Sequence, residues 1–205
     1  MSNSLSHFEQ FKKFLTDVQH FDYVIMRGYH SLPKKAGDID IVFRPEDYDK
    51  IIDIAKFLNP LKMEDYGFAE WCDMKCYPHY TKGETKKGRY RFDIYNSIYF
   101  LSPMNDYTTN WTISENYFSS ILEKRISKDY FYIPSPQDEI VLTIMRAVLD
   151  KRGWKSKYIG IIKNLLNNVD KTDVIQSLTL STLPDPEHIY KCLIAEKYEE
   201  IVTWE

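Results

Sequence analysis

Residues 21–43 read FDYVIMRGYHSLPKKAGDIDIVF, two short apolar runs on either side of a loop that holds Pro33, Gly28 and Gly37. Tyr23–Arg27 and Asp38–Phe43 are rich in β-branched and aromatic residues and predict two strands; residues 28–37 predict a loop or a short irregular helix. Side chains alternate along a strand, so Ile39, Ile41 and Phe43 take one face and Asp38 and Asp40 the other. One face is therefore a core face, and two carboxylates share its opposite. Like charges so close destabilise each other unless something positive sits between them. A divalent cation is the obvious candidate, since Mg²⁺ takes one or two carboxylates together with substrate phosphates.

The pattern on either side extends this unit. Leu5, Phe8, Phe11, Leu15 and Val18 recur at helical spacing and predict a helix over residues 4–18. Pro45 opens a second helix whose stripe (Tyr48, Ile51, Ile52, Ile54, Ala55, Leu58) runs up to Pro60. Residues 62–80 are strand-like, and residues 81–88, TKGETKKG, read as a polar hairpin connection. Residues 89–95 then alternate, with Arg89, Arg91, Asp93 and Tyr95 on one face and Tyr90, Phe92 and Ile94 on the other. Between 96 and 133 the pattern predicts only a helix near 114–123 and a short strand near 130–133.

Pro134 and Pro136 mark a joint, after which apolar stripes predict helices over 137–151, 154–167, 173–180 and 187–202. The expectation is an α/β (α+β) chain in two parts. Residues 1–133 form a mixed, mostly antiparallel sheet with flanking helices, and residues 134–205 a C-terminal helical bundle.

At 205 residues with 43% apolar content, the chain can bury a substantial core. No 18-residue apolar run is present, which excludes a spanning helix by hydropathy. The opening MSNSLSH lacks the basic and apolar regions of a signal peptide, so the cytoplasm is the expected location. A net charge of -3 argues against a general nucleic-acid binder and favours small-molecule substrates. Three cysteines are an odd number and suit reduced thiols better than a disulfide framework. Cys72, Cys76 and His79 have metal-ligand spacing but lack a fourth ligand.

Asp93 offers a third carboxylate if its strand pairs near Asp38 and Asp40. Three such acids can hold two divalent ions that clamp the attacking and leaving oxygens of an in-line displacement. Arg89 and Arg91 on the same face, and Lys82, Lys86 and Lys87 nearby in sequence, are candidates to neutralise phosphate. Farther along, residues 150–158, DKRGWKSKY, gather four cations and two aromatics. Lys155 and Tyr158 are its candidate phosphate and nucleobase contacts; the alternative is a polar turn over which Trp154 packs. His188 and Cys192, one helical turn apart, read as surface or packing residues.

Arg27-Gly28, the ten-residue step to Gly37-Asp38-Ile39-Asp40 and the distal Asp93 resemble the DNA-polymerase-β-type nucleotidyltransferase superfamily. The resemblance covers roughly residues 21–95. It implies transfer of a nucleoside monophosphate from an NTP to a hydroxyl or phosphate of a small acceptor, with Mg²⁺ or Mn²⁺. It assigns metal ligation to Asp38 and Asp40, makes Asp93 the third ligand or general base, and puts Gly28 at the phosphate-cradling turn. The chain departs from the family at Tyr29, where a serine usually binds the terminal phosphates. Ser31 or loop N–H groups are the expected substitutes. The alternative is a nucleotidyltransferase-like module, non-catalytic or a phosphotransfer variant, that binds a nucleotide or a protein partner.

Overall fold

The acidic strand sits inside a four-stranded sheet whose apolar face is covered by two helices. A computed structural model describes residues 7–31, 38–55, 74–78, 91–102 and 109–201. In chain order, helix α1 (His7–Asp17) leads to strands β1 (Tyr23–Arg27) and β2 (Asp38–Phe43). A 3₁₀ turn at Pro45–Asp47 then opens α2 (Tyr48–Ala55), followed by β3 (Met74–Pro78) and β4 (Arg91–Tyr95). After these come β5 (Tyr99–Ser102), β6 (Thr109–Thr112), α3 (Glu115–Glu123), β7 (Ile126–Lys128) and β8 (Phe131–Ile133). The chain closes with α4 (Pro136–Met145), α5 (Ser156–Leu166), α6 (Lys171–Leu180) and α7 (Pro186–Ile194).

The sheet order is β1-β2-β4-β3. Its outer pairings are antiparallel and the central β2–β4 pairing is parallel, so the chain is α+β with a mixed, mostly antiparallel sheet. Contacts divide the chain into two units, one of residues up to Ser97 with Arg125–Ile133, the other of Ile98–Lys124 with Pro134 onward. The chain thus passes between units at 97/98 and 124/125 as well as at 133/134, where its composition changes.

In the first unit Ile39, Ile41 and Phe43 of β2 join Tyr23 and Ile25 of β1 and Ile94 of β4. They pack on Phe11, Phe14, Leu15 and Val18 along one stripe of α1 and its end, and on Tyr48, Ile51 and Ala55 of α2. Each such buried side chain contributes roughly 1.5–3 kcal/mol over its exposed state. The strand expected at 130–133 is the second half of a hairpin: β7 pairs antiparallel with β8 around Asp129, which has φ 55°. Aromatic contacts tie the hairpin to this unit, with the Tyr132 ring 5.4 Å from Tyr23 and the Phe131 ring 6.4 Å from Tyr29.

In the second unit α4 is buried along most of its length and continues as a π-helical turn through Arg146–Asp150. Ser135 caps it, with Pro136 following where a missing N–H costs nothing. The Ser135 hydroxyl donates to the fully buried Asp138 at 2.5 Å. Burial, reinforced by Asp138, pushes the Tyr117 hydroxyl well above its ordinary pKa. The last helix stops at Ile194 rather than near 202. Lys197 N–H donates to the Cys192 carbonyl at 2.9 Å and Glu196 N–H to that of Leu193 at 3.2 Å, a Schellman ending with Glu196 at φ 57°. Among the described residues no helix is long and apolar enough to cross a membrane.

Asp22, just before β1, accepts from Arg44 Nε at 2.9 Å and Arg125 Nη2 at 2.8 Å, fastening the end of β2 and the hairpin segment to the start of β1. The hydrogen bond from Arg44, aided by the charge of Arg125, holds its carboxyl below the ordinary 3.8. A depressed pKa contributes stability that is present above 3.8 and lost as pH falls through the folded-state value. Asp22→Asn should therefore lower the melting temperature at pH 7 but by progressively less as the pH approaches 3, which thermal melts of both proteins will measure. A constant difference across that range would rule out this source of acid sensitivity.

Candidate functional site

Register alone brings the acids together. In β1–β2, Arg27 is the Cα partner of Asp40; in β2–β4, Asp40 is the partner of Asp93; in β3–β4, Asp93 is the partner of Cys76. Paired residues lie on the same face of a sheet, so the row Arg27, Asp40, Asp93, Cys76 runs straight across it. Asp38, two residues before Asp40, belongs to the same face and pairs with Arg91. The opposite face is the core face of Ile39, Ile41 and Ile94.

Arg27 reaches this row because β1 contains a bulge. The pairs Tyr23↔Phe43, Val24↔Val42 and Ile25↔Ile41 are regular, and then the register shifts so that Arg27 lies opposite Asp40. Continued without the shift, the ladder would put Met26 against Asp40 and turn Arg27 toward the core beside Ile25. One extra residue moves the following side chain to the other face. The guanidinium then grips a carboxylate that is only 4% exposed: Nε lies 2.5 Å from Oδ2, and Nη2 donates to Oδ1 at 2.8 Å. A two-point pairing of this kind is the geometry for which arginine is suited and lysine is not.

The turn after β1 is set by Gly28, whose φ of 89° is a conformation that L side chains rarely adopt. Tyr29–Ser31 follow as a short 3₁₀ helix, one of the two outcomes expected for the loop. Tyr29 points away from the acids: it is 2% exposed, belongs to the core cluster and lies 5.4 Å from the Lys128 ammonium. Tyr29, at the position where the resembled superfamily usually has serine, is thus a core residue.

The other expected contacts are distributed as follows. Ser31 ends the 3₁₀ helix, and Arg91 opens β4 opposite Asp38. Arg89, Lys82, Lys86, Lys87, Cys72 and His79 lie outside the described residues. Lys155 and Tyr158 are in the second unit. Lys155 is exposed just before α5, whereas Tyr158 is buried and its hydroxyl accepts from Arg146 Nε at 3.3 Å. Trp154 packs against Tyr198 with centroids 5.2 Å apart and the rings tilted by 49°.

The donor set fits a hard divalent cation. Neighbouring strands are about 4.8 Å apart, and two residues span about 6.6 Å along a strand, so the backbone positions of Asp38, Asp40 and Asp93 are neighbours on the sheet. Among the described side chains, which do not include those of Asp38 and Asp93, no group of three His, Cys, Asp or Glu is placed to hold a metal. Sequence reasoning singled out the acids but missed Arg27 as the partner of Asp40. Its signal was an arginine ending an apolar strand, and strict alternation assigns that position to the core. Compared with known proteins, the chain matches no family model and no curated relative.

Replacing Gly28 by alanine forces a Cβ into positive φ and should destabilise the protein by about 1–2 kcal/mol. Urea unfolding of Gly28→Ala against wild type measures this, and an unchanged midpoint would mean that the turn does not require the glycine.

Proposed function

We propose that the chain is a Mg²⁺- or Mn²⁺-dependent nucleotidyltransferase that moves a nucleoside monophosphate from an NTP to a hydroxyl or phosphate of a small molecule. The observation that carries this reading is the parallel pairing of β2 with β4, which puts Asp40 beside Asp93 with Asp38 on the same face. The sheet order and the positive-φ glycine after β1 support it further.

In this reading Asp38 and Asp40 hold the cation, and Asp93 is a third ligand or accepts the proton of an acceptor hydroxyl. When bound, the cation neutralises charge on the phosphates and lowers the pKa of the acceptor. The acceptor oxygen forms a bond to the α-phosphorus, the bond from that phosphorus to the β-bridging oxygen breaks, and pyrophosphate leaves. Gly28 has no Cβ and lets the backbone approach the phosphates, while Ser31 and the N–H groups of the 3₁₀ turn take the place of the family's serine. Arg91 and Arg89 supply cations on the β4 side. The net charge of -3 favours a small acceptor over a nucleic acid.

A second reading, a module of this type that binds a nucleotide or protein partner without transfer, is favoured by two observations. Arg27 already neutralises Asp40, and Tyr29 stands in place of the serine.

Incubation with each labelled NTP, Mg²⁺ and a pooled small-metabolite extract separates the two. Transfer of label to a small molecule, reduced about a thousandfold in Asp40→Asn, is the expected result. Nucleotide binding without transfer from any NTP would favour the second reading.

A further inference from the structure

We propose that Arg27 is a latch on Asp40 that competes with the divalent cation, so that free cation binds weakly and the site fills from the metal–nucleotide complex. This rests on the reading of Asp38, Asp40 and Asp93 as a metal site.

The two-point contact from Arg27 engages both oxygens of Asp40, the same atoms a cation would need. Asp40 is nearly inaccessible, so its charge needs a partner, and breaking such a pair without replacement is costly. Arg27 is different: its side chain is 35% exposed, so it can leave Asp40 and remain hydrated or meet an anion. Its position also favours exchange. It ends β1 immediately before the positive-φ turn at Gly28, where the phosphates are proposed to lie.

A cation arriving alone must displace the guanidinium from Asp40 and brings nothing negative in exchange. A cation arriving on a triphosphate brings negative oxygens for Arg27 to engage as it leaves Asp40, since arginine pairs with phosphate in the same forked geometry. The bulge in β1 is the structural device that makes this possible, because without it Arg27 would not share a face with Asp40.

The test is Mn²⁺ binding to the full chain without nucleotide, followed by the electron paramagnetic resonance signal of unbound Mn²⁺. Wild type, Arg27→Gln, Arg27→Lys and Asp40→Asn are compared, with melting temperatures taken with and without Mn²⁺. Arg27→Gln should bind Mn²⁺ about tenfold more tightly than wild type. Arg27→Lys should fall between them, because a point charge pairs less well with both oxygens. Mn²⁺ should raise the melting temperature of Arg27→Gln more than that of wild type, and Asp40→Asn should bind least. If Arg27→Gln does not fold without metal, refolding on addition of Mn²⁺ supports the latch, and Arg27→Lys carries the affinity comparison. Equal or weaker Mn²⁺ affinity in the folded Arg27 variants overturns the latch while leaving the metal site standing. No Mn²⁺ binding by wild type or by any Arg27 variant removes the metal site and the latch with it.

Discussion

A carboxylate that is 4% exposed, in a strand whose other face is the hydrophobic core, must have a positive partner or give up its charge. For Asp40 that partner is Arg27, delivered by one extra residue in β1. Much else in the first unit follows from the same requirement. The bulge must be accommodated just before the chain turns, and Gly28 takes the positive φ of that turn. Beyond it, Tyr29 returns the chain to the core. At the other end of the β1–β2 pair, Asp22 with Arg44 and Arg125 fastens the strands again. Ion pairs thus bracket an apolar ladder, and register between them is held by Ile39, Ile41 and Phe43 packing on α1 and α2.

The same arrangement explains why the site reads two ways. An acid row on paired central strands suits metal-assisted phosphoryl chemistry, whereas an arginine on the central acid suits a stable, charge-neutral sheet. In the proposed latch, exchange of Arg27 between Asp40 and an incoming phosphate would make these two states of one site. Tyr29, where the resembled superfamily usually has serine, is buried near Phe131, and in the proposed function the N–H groups of the turn would hold the anion instead.

Strands β1 and β2 were legible to the residue, because alternation and the glycines flanking the loop leave little freedom in where they start and stop. The helices with Ser, Asp or Pro at their starts were legible for a similar reason: Ser114, Ser135, Asp170 and Asp185 each accept from a backbone N–H of the helix they open. Other features, the β5–β6 pair among them, were not. The bulge between Ile25 and Arg27 breaks the alternation from which it would have to be read. The three-residue strand β7 is exposed throughout and has no apolar pattern; it is identified by its partner β8. Helix α7 ends at a left-handed Glu196, where a glycine would have announced the stop. The acids were legible as a set, but their counter-charge was not, since it depends on register and not on spacing.

The most direct measurement is anomalous diffraction at the Mn absorption edge from crystals grown with Mn²⁺ and a non-hydrolysable NTP. The expected result is a peak about 2.1 Å from carboxylate oxygens of Asp38 and Asp40, with the Arg27 guanidinium moved from Asp40 to a phosphate oxygen. A nucleotide bound elsewhere, with no peak beside Asp40 and Arg27 still paired to it, would contradict the metal site on which the proposed chemistry depends.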